Sequence, residues 1–320
     1  GVGRLSCISH DQGTTWELCT IFADPDRFEI LVERALVRTR EGVTVLVFAN
    51  DLERANWDWQ EQIADSPRAV LPTYAVRSLD DGRTWRDLQK LHDDWTGANR
   101  DLIQTRAGNL VASSMVMRHH PGHHAVVTYT SKTNGLNWVR SNVIDLGGVG
   151  HHSGVTEATI EQLADGRLWM LMRTNWGVFW QAHSADEGLT WEGFRPTQID
   201  ASSAPGLLCR LASGRLLLVW NRARPEGHSD YPLSGGDGVS SEVPHSNHRG
   251  ELSAMLSEDD GATWSQAVVI ARVTPDSAVP RLAYPRVFEA APGELWVTTT
   301  YADFAGYLSV RVFEEELLRG

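Results

Sequence analysis

An eight-residue phrase recurs five times along this chain and constrains its fold more than any other feature. It reads SHDQGTTW from Ser9, SLDDGRTW from Ser78, SKTNGLNW from Ser131, SADEGLTW from Ser184 and SEDDGATW from Ser257, so the starts lie 69, 53, 53 and 73 residues apart. Four copies fit S-x-D-x-G-x-T-W; the third has Thr133 and Asn137 where the others have Asp and Thr. Self-similarity of this kind marks an array of one supersecondary unit. The chemistry is that of a strand-to-strand turn. An Asp side chain accepts hydrogen bonds from backbone N–H groups further along, and the Gly supplies the positive φ of a tight turn. The closing Trp is expected to cover the turn and pack against a neighbouring unit.

Five pairs of short apolar runs, each split by a Gly turn, accompany the octets: ERALVRT–EGV–TVLVFAN, RDLIQT–RAG–NLVASSMVM, EATIEQL–ADG–RLWMLMR, GLLCRL–ASG–RLLLVWN and YPRVFEA–APG–ELWVTTT. Each pair reads as two inner strands joined by a hairpin, after which an octet joins a third strand to a fourth. Four antiparallel strands per unit, repeated radially, predict an all-β protein, a six-bladed β-propeller forming a single domain over residues 1–320. The blades are expected at about 28–91, 97–145, 153–199, 203–272 and 280–318, with residues 1–22 giving the outer two strands of a sixth. Such a repeat also accounts for a length that is large for one compact domain. Helix should be scarce.

The balance of 42% apolar and 22% charged residues excludes a disordered chain. No apolar run approaches a membrane-spanning length. A net charge of −12 without a basic stripe excludes a nucleic-acid partner, whereas a local arginine cluster still admits an acidic small substrate. The three cysteines form neither a disulfide framework nor a metal pattern, and no cofactor or metal is expected. Cys7 and Cys19 are equidistant from Gly13 and so are candidates to face each other across the first turn, although two separate thiols is the better reading. The first residues show neither an initiator Met nor a signal-like apolar segment, which leaves the compartment open.

The repeat also yields a map of candidate site residues. Counting nine residues back from each inner-hairpin Gly gives Glu33, Asn99, Glu157, Pro205 and Tyr284 at equivalent places near the mouth of each first strand. Polar groups there replace the Val or Ile that a buried strand prefers, which points to a ligand pocket. At the ends of the second strands stand Asp51, Arg118, Arg173, Asn221 with Arg222, and Tyr301, and Arg249 opens a third strand in HRGELSAM. Several arginines near one mouth suit a carboxylate or sulfate, which guanidinium forks bind at two points.

These residues resemble the sialidase superfamily of Asp-box (BNR-repeat) six-bladed propellers over essentially the whole chain, in its broader sialidase-like branch. EATIEQLADGRLWMLMR is similar to the family segment with the catalytic Glu and an Arg of the carboxylate-binding triad, which falls on Glu157 and Arg173. HRGELSAMLSEDDGATW resembles the segment with another triad Arg, here Arg249, and LAYPRVFEAAPGELWVTTTY the segment with the nucleophilic Tyr, here Tyr284. The family's R-I-P arginine and acid/base Asp precede its first Asp-box, and neither occurs in the eight residues before Ser9. The resemblance implies an exo-glycosidase that releases a sialic acid-like sugar from an acidic glycan. Tyr284 would be the nucleophile, Glu157 its base, and Arg173 and Arg249 the carboxylate clamp, with Asp51, Glu33, Asn221 and Arg118 as further substrate contacts. An anomeric carbon that bears a carboxylate repels an anionic nucleophile, which is why Tyr serves in this class. Asp51 and Glu33 are the local candidates for the acid.

Two other readings stay open. RHHPGHH (Arg118–His124) and GHHSG (Gly150–Gly154) would supply a His/Tyr pair for a lyase or hydrolase acting on a uronate glycan, or paired metal ligands, or simply solvated loop histidines. Trp57, Trp59, Trp95 and Trp176 would supply stacking platforms for a non-catalytic glycan-binding propeller, or packing. The Gly-, Ser- and Pro-rich insertion Ala223–His248 is expected to be a loop over the mouth.

Overall fold

The computed structural model describes residues 4–11, 13–22, 24, 26–274, 281–301 and 306–319. The chain divides into two compact units, residues 1–151 with 184–191, and residues 152–183 with 192–320. In the first, β1 (Leu5–Ile8) and β2 (Glu17–Thr20) form a two-stranded sheet. Two four-stranded antiparallel meanders follow: β3 (Ala35–Arg38), β4 (Thr44–Ala49), β5 (Thr73–Ser78) and β6 (Arg86–His92), then β7 (Leu102–Gln104), β8 (Leu110–Arg118), β9 (His123–Ser131) and β10 (Val139–Arg140).

The second unit begins with a meander of β11 (Thr156–Gln162), β12 (Leu168–Arg173), β13 (Val178–Ser184) and β14 (Glu192–Asp200). In the next sheet β15 (Leu207–Arg210) and β16 (Leu216–Trp220) are separated in sequence from their partners by a small hairpin, β17 (Leu233–Gly235) with β18 (Pro244–Ser246). The partners are β19 (Glu251–Ser257) and β20 (Val268–Arg272). A three-stranded sheet of β21 (Leu282–Ala291), β22 (Glu294–Tyr301) and β23 (Gly306–Phe313) leads into α1 (Glu314–Arg319), the one α-helix among the described residues. No helix among them is long and apolar enough to cross a membrane.

Among the described residues the expected count of six blades is corrected to five: four sheets of four strands and one of three. Among the described residues β1 and β2 pair with each other and with no inner hairpin, so they form a separate two-stranded sheet. Residues 1–3 of the expected half-blade, and residue 280 at the expected start of the last blade, lie outside the described residues.

Inner strands are apolar on both faces because both faces are covered. Along β4, Val45 and Val47 join one buried cluster with Ala75, Leu102 and Leu110, while Leu46 and Phe48 join another with Ile30 and Val76. In β16, Leu216, Leu218 and Trp220 pack with Phe179 and Leu171, and Leu217 and Val219 pack with Leu252 and Leu295. The fourth strands are far more exposed: most of β6 and β14 is open to solvent.

Each octet sits at the turn into an outer strand and closes on itself. In the second, Ser78 Oγ accepts from the Gly82 N–H at 2.8 Å, while Asp80 accepts from the Thr84 N–H at 2.8 Å and the Thr84 hydroxyl at 2.6 Å. Gly82 has φ +90°, and the Trp85 indole N–H donates to its carbonyl at 3.0 Å. Asp11, Asp186 and Asp259 repeat the carboxylate pattern. In the divergent copy the Thr133 hydroxyl stands in, accepting from the Asn137 N–H at 2.9 Å. The Thr84 side-chain and backbone donors hold Asp80 down at about 2. Cys7 lies opposite Leu18 and Cys19 opposite Ser6, so the two thiols point to opposite faces of the hairpin and do not meet.

Candidate functional site

Glu157 and Tyr284, matched by counting in the sequence, are matched in backbone too. β11 pairs Thr156 with Arg173 and Thr159 with Leu171, leaving Glu157 and Ala158 opposite one residue of β12. β21 pairs Ala283 with Thr300 and Arg286 with Thr298, leaving Tyr284 and Pro285 opposite one residue of β22. Each is therefore a β-bulge, a device that re-aims a side chain. Glu157 has φ +40° and Tyr284 φ +60°, a left-handed region that non-glycine residues seldom occupy and that clusters at functional sites. At the second bulge the Thr299 and Thr300 hydroxyls both donate to the Ala283 carbonyl, at 2.7 and 2.8 Å, anchoring the residue before Tyr284.

Arg173 ends β12 and is buried. Its Nη1 donates to Glu157 Oε2, and its Nε and Nη2 donate to the Ser203 hydroxyl at 3.2 and 2.9 Å. Ser203 in turn donates to Asn175 Oδ1 at 2.6 Å, and its carbonyl accepts from Arg249 Nη2 at 2.8 Å. One serine thus ties both arginines. The Arg249 guanidinium lies over the Tyr284 ring, 5.4 Å from its centroid, a cation–π contact. Burial disfavours charge on Arg173, but Glu157 and then Tyr284 outweigh it and hold the guanidinium above the ordinary arginine range. Arg249 shifts the other way: burial, with Arg173 and Arg281 nearby, pulls it below that range against the opposing pull of Tyr284 and Glu157. Its Nε is buried with no hydrogen-bond partner among the described residues. A buried guanidinium so poorly compensated favours an anion beside it.

Of the eight residues singled out from the sequence, Glu157, Arg173, Arg249 and Tyr284 meet in this cluster. Asn221 lies in the same unit but is spent on the fold: fully buried, it donates both amide hydrogens to the Glu251 and Leu282 carbonyls, at 2.7 and 2.8 Å. The other three belong to the first unit. Glu33 is buried 3.8 Å from Arg100, itself 1% exposed. Asp51 opens a 3-10 turn and pairs with Arg54 at 2.6 Å, and Arg118 pairs with Asp145 at 3.2 Å. Asn99 accepts the Ser114 hydroxyl at 2.5 Å.

The histidine-rich stretch of the first unit is paired with carboxylates and carbonyls. His119 meets buried Asp65 at 2.9 Å, His123 meets Asp145 at 2.8 Å, and His124 meets the His151 carbonyl at 2.8 Å. Trp57 stacks on Trp95 at 4.3 Å with Arg54 over the Trp95 ring. The insertion Ala223–His248, expected as plain loop, carries its own hairpin β17–β18 and is pinned by the Ser203 N–H donating to the Ser246 carbonyl at 2.8 Å. Sequence reasoning missed Arg100, Asn175 and Ser203; only Arg100, a charge beside Asn99 at a strand mouth, left any signal.

No curated protein matches the chain. Solved structures do. A Hadza microbial sialidase, Hz136, is 18% identical with a TM-score of 0.67, the match covering 97% of this chain and 59% of that one. The NanB sialidase of Streptococcus pneumoniae is 13% identical with a TM-score of 0.61, covering 96% and 62%. The α-L-arabinofuranosidase Arb93A of Fusarium graminearum is 14% identical with a TM-score of 0.59, covering 91% and 84%. At such identities the likeness shows the fold alone, a β-propeller. The chain spans about three fifths of the length of the two sialidases. A BNR repeat-like domain matches residues 5–297, nearly the whole chain, and the protein belongs to that family.

Proposed function

We propose that the protein is a glycoside hydrolase of sialidase type, acting on a glycan that ends in a carboxylate-bearing, sialic acid-like sugar. The observation that supports this best is the pair of matched bulges, which hold Glu157 and Tyr284 in left-handed backbone, each interacting with Arg173. Arg249 and Arg173 would take the substrate carboxylate, a charge-assisted contact that orients the anomeric carbon. In the first step the Tyr284 O–H proton passes to the Glu157 carboxylate, the phenolic oxygen bonds to the anomeric carbon, and the glycosidic C–O bond breaks with its electrons on the leaving oxygen. In the second, a water oxygen bonds to the anomeric carbon as the bond to the phenolic oxygen breaks, Tyr284 regains its proton from Glu157, and the proton that the water gives up passes to solvent, where it neutralises the oxyanion released in the first step. The two guanidiniums would stabilise the phenolate character that Tyr284 develops in both transfers.

The test is turnover of an aryl glycoside of sialic acid, which needs no acid for its leaving group. Wild-type protein is expected to release the aryl alcohol and to accumulate a glycosyl adduct on Tyr284 that mass spectrometry locates. Tyr284→Phe should abolish the adduct and lower kcat by at least about a thousandfold while binding of the free sugar persists. Full turnover by Tyr284→Phe, or release of an unsaturated uronate from a polyuronate in place of sialic acid, would overturn the reading.

A further inference from the structure

Ser203 bonds to both Arg173 and Arg249, and the direction of each of its hydrogen bonds is fixed by its partners. It is 2% exposed, and Asn175 beside it 3%. Asn175 Nδ2 lies 2.9 Å from the His152 carbonyl, which can only accept, so Nδ2 donates there and Oδ1 is the atom turned to Ser203. An amide oxygen also only accepts, so the single Ser203 hydroxyl hydrogen goes to it, at 2.6 Å. Both lone pairs of Ser203 Oγ are then left for Arg173, whose Nε and Nη2 stand 3.2 and 2.9 Å away. One hydroxyl oxygen thus takes the side edge of that guanidinium, while Nη1 goes to Glu157. The Ser203 carbonyl takes Arg249 Nη2 at 2.8 Å.

The loop that carries Ser203 is itself fixed. The Ser202 N–H donates to the Asn221 carbonyl at 3.0 Å, the Ser203 N–H to the Ser246 carbonyl at 2.8 Å, and the Ala204 N–H to the Ser202 carbonyl at 2.7 Å. Asn221 is held in turn by its amide bonds to the Glu251 and Leu282 carbonyls. A serine anchored in this way sets two long side chains before a ligand arrives, which removes their ordering entropy from the binding step. Serine is also neutral. A carboxylate in its place would hold Arg173 equally well but would neutralise it, whereas a hydroxyl holds the guanidinium and leaves its charge on offer. Arg173 and Arg249 bring two positive charges to the cluster and Glu157 one negative, so the balance of these three stays positive among side chains closed to water.

We propose that Ser203 is a positioning residue, which sets Arg173 and Arg249 for a carboxylate ligand by orienting their guanidiniums without neutralising them. Only the words "for a carboxylate ligand" rest on the proposed hydrolase reading. The probes are free sialic acid, titrated by calorimetry, and the rate at which the Arg173 Nε–H exchanges with water, followed by NMR. Wild-type protein should bind the sugar and exchange that hydrogen slowly. Ser203→Ala should weaken binding about tenfold and speed the exchange by a similar factor, since a hydrogen bond to a charged group is lost. Ser203→Thr, which keeps the hydroxyl, should restore both. Ser203→Asp should separate them: the exchange stays slow because an acceptor is still present, yet sialic acid binding is lost because the clamp already holds a carboxylate. Unchanged affinity in folded Ser203→Ala, or full binding by folded Ser203→Asp, overturns the inference. Should the variants misfold, the wild-type spectrum decides: exchange as fast as that of surface arginines excludes the Ser203 bond, and slow exchange supports it. Wild-type protein that neither binds sialic acid nor turns over the aryl glycoside sinks the hydrolase reading, and the exchange rates of wild type and Ser203→Ala then decide the positioning role alone. Aryl turnover with an affinity and an exchange rate that Ser203→Ala leaves unchanged does the reverse.

Discussion

The Glu157–Arg173 pair gives a quantitative test of how the site is built. Both side chains are out of water, 6% and 10% exposed, and Ser203 and Tyr284 also bond to the guanidinium. Removing one partner of a buried ion pair strands the other charge, at about 3–5 kcal/mol. Glu157→Gln leaves Arg173 charged with only Ser203 and Tyr284 beside it, neither of them a carboxylate; Arg173→Met leaves Glu157 ionised beside a thioether. Each single change should therefore lower stability by about 3 kcal/mol. The double variant, with neither charge left to strand, should lose about 2 kcal/mol less than the sum. With a urea slope of about 3 kcal/mol/M, each single loss moves the midpoint by about 1 M, well within measurement. The assay is urea unfolding of the four proteins at one pH, followed by tryptophan fluorescence. Additivity of the two single losses within about 0.5 kcal/mol would refute the reasoning, because uncoupled residues add to that precision.

Two further outcomes are expected. His92, buried and bonded through Nδ1 to the Tyr129 hydroxyl at 2.5 Å, is pushed down to about 4, chiefly by burial. It is neutral when folded and takes up a proton on unfolding below about 6.5, so its stabilisation is complete above that pH and lost on descending to about 4. The full swing is about 3 kcal/mol, and urea midpoints at pH 7 and 4.5 should converge in His92→Gln if the assignment is right. Restoring the divergent octet with Thr133→Asp and Asn137→Thr should add the carboxylate bonds seen at Asp80 and raise stability by about 0.5–1.5 kcal/mol; a fall in thermal midpoint would show that the third turn cannot accept the standard geometry.

What could be seen in the sequence was whatever is local or repeated. An octet closes all its bonds within eight residues, so Ser, Asp, Gly and Thr announce it without knowledge of the rest. Glu157 and Tyr284 were found because the same bulge is written twice at the same distance from a Gly turn. The number of sheets was not so legible, since it depends on which strands find inner partners, and β1 and β2 find only each other. Ser203 and Asn175 have no marker: a small polar residue in a loop becomes central only when two distant arginines converge on it. Composition misled at Ala223–His248, where Gly235 and Gly236 adopt positive φ at the turn of a real hairpin. Cys7 and Cys19, equidistant from Gly13, miss each other by one residue, as the preferred reading of two separate thiols has it, because the register centres the turn half a residue earlier.

The fourth octet has a bearing on the order in which the chain can mature. Its residues, 184–191, belong to the first unit although the strands on either side belong to the second. The Thr130 and Thr128 hydroxyls of β9 donate to the Glu187 and Gly188 carbonyls, and the Trp191 indole donates back to Thr128 at 2.8 Å. On a ribosome, where domains form as they emerge, the first unit cannot finish when residue 151 appears. It waits until Trp191 has emerged, by which time β11, β12 and β13 are already out and searching for partners. The shortest nascent chain able to complete that unit therefore ends inside the coding region of the other, and the two must mature as overlapping rather than successive events.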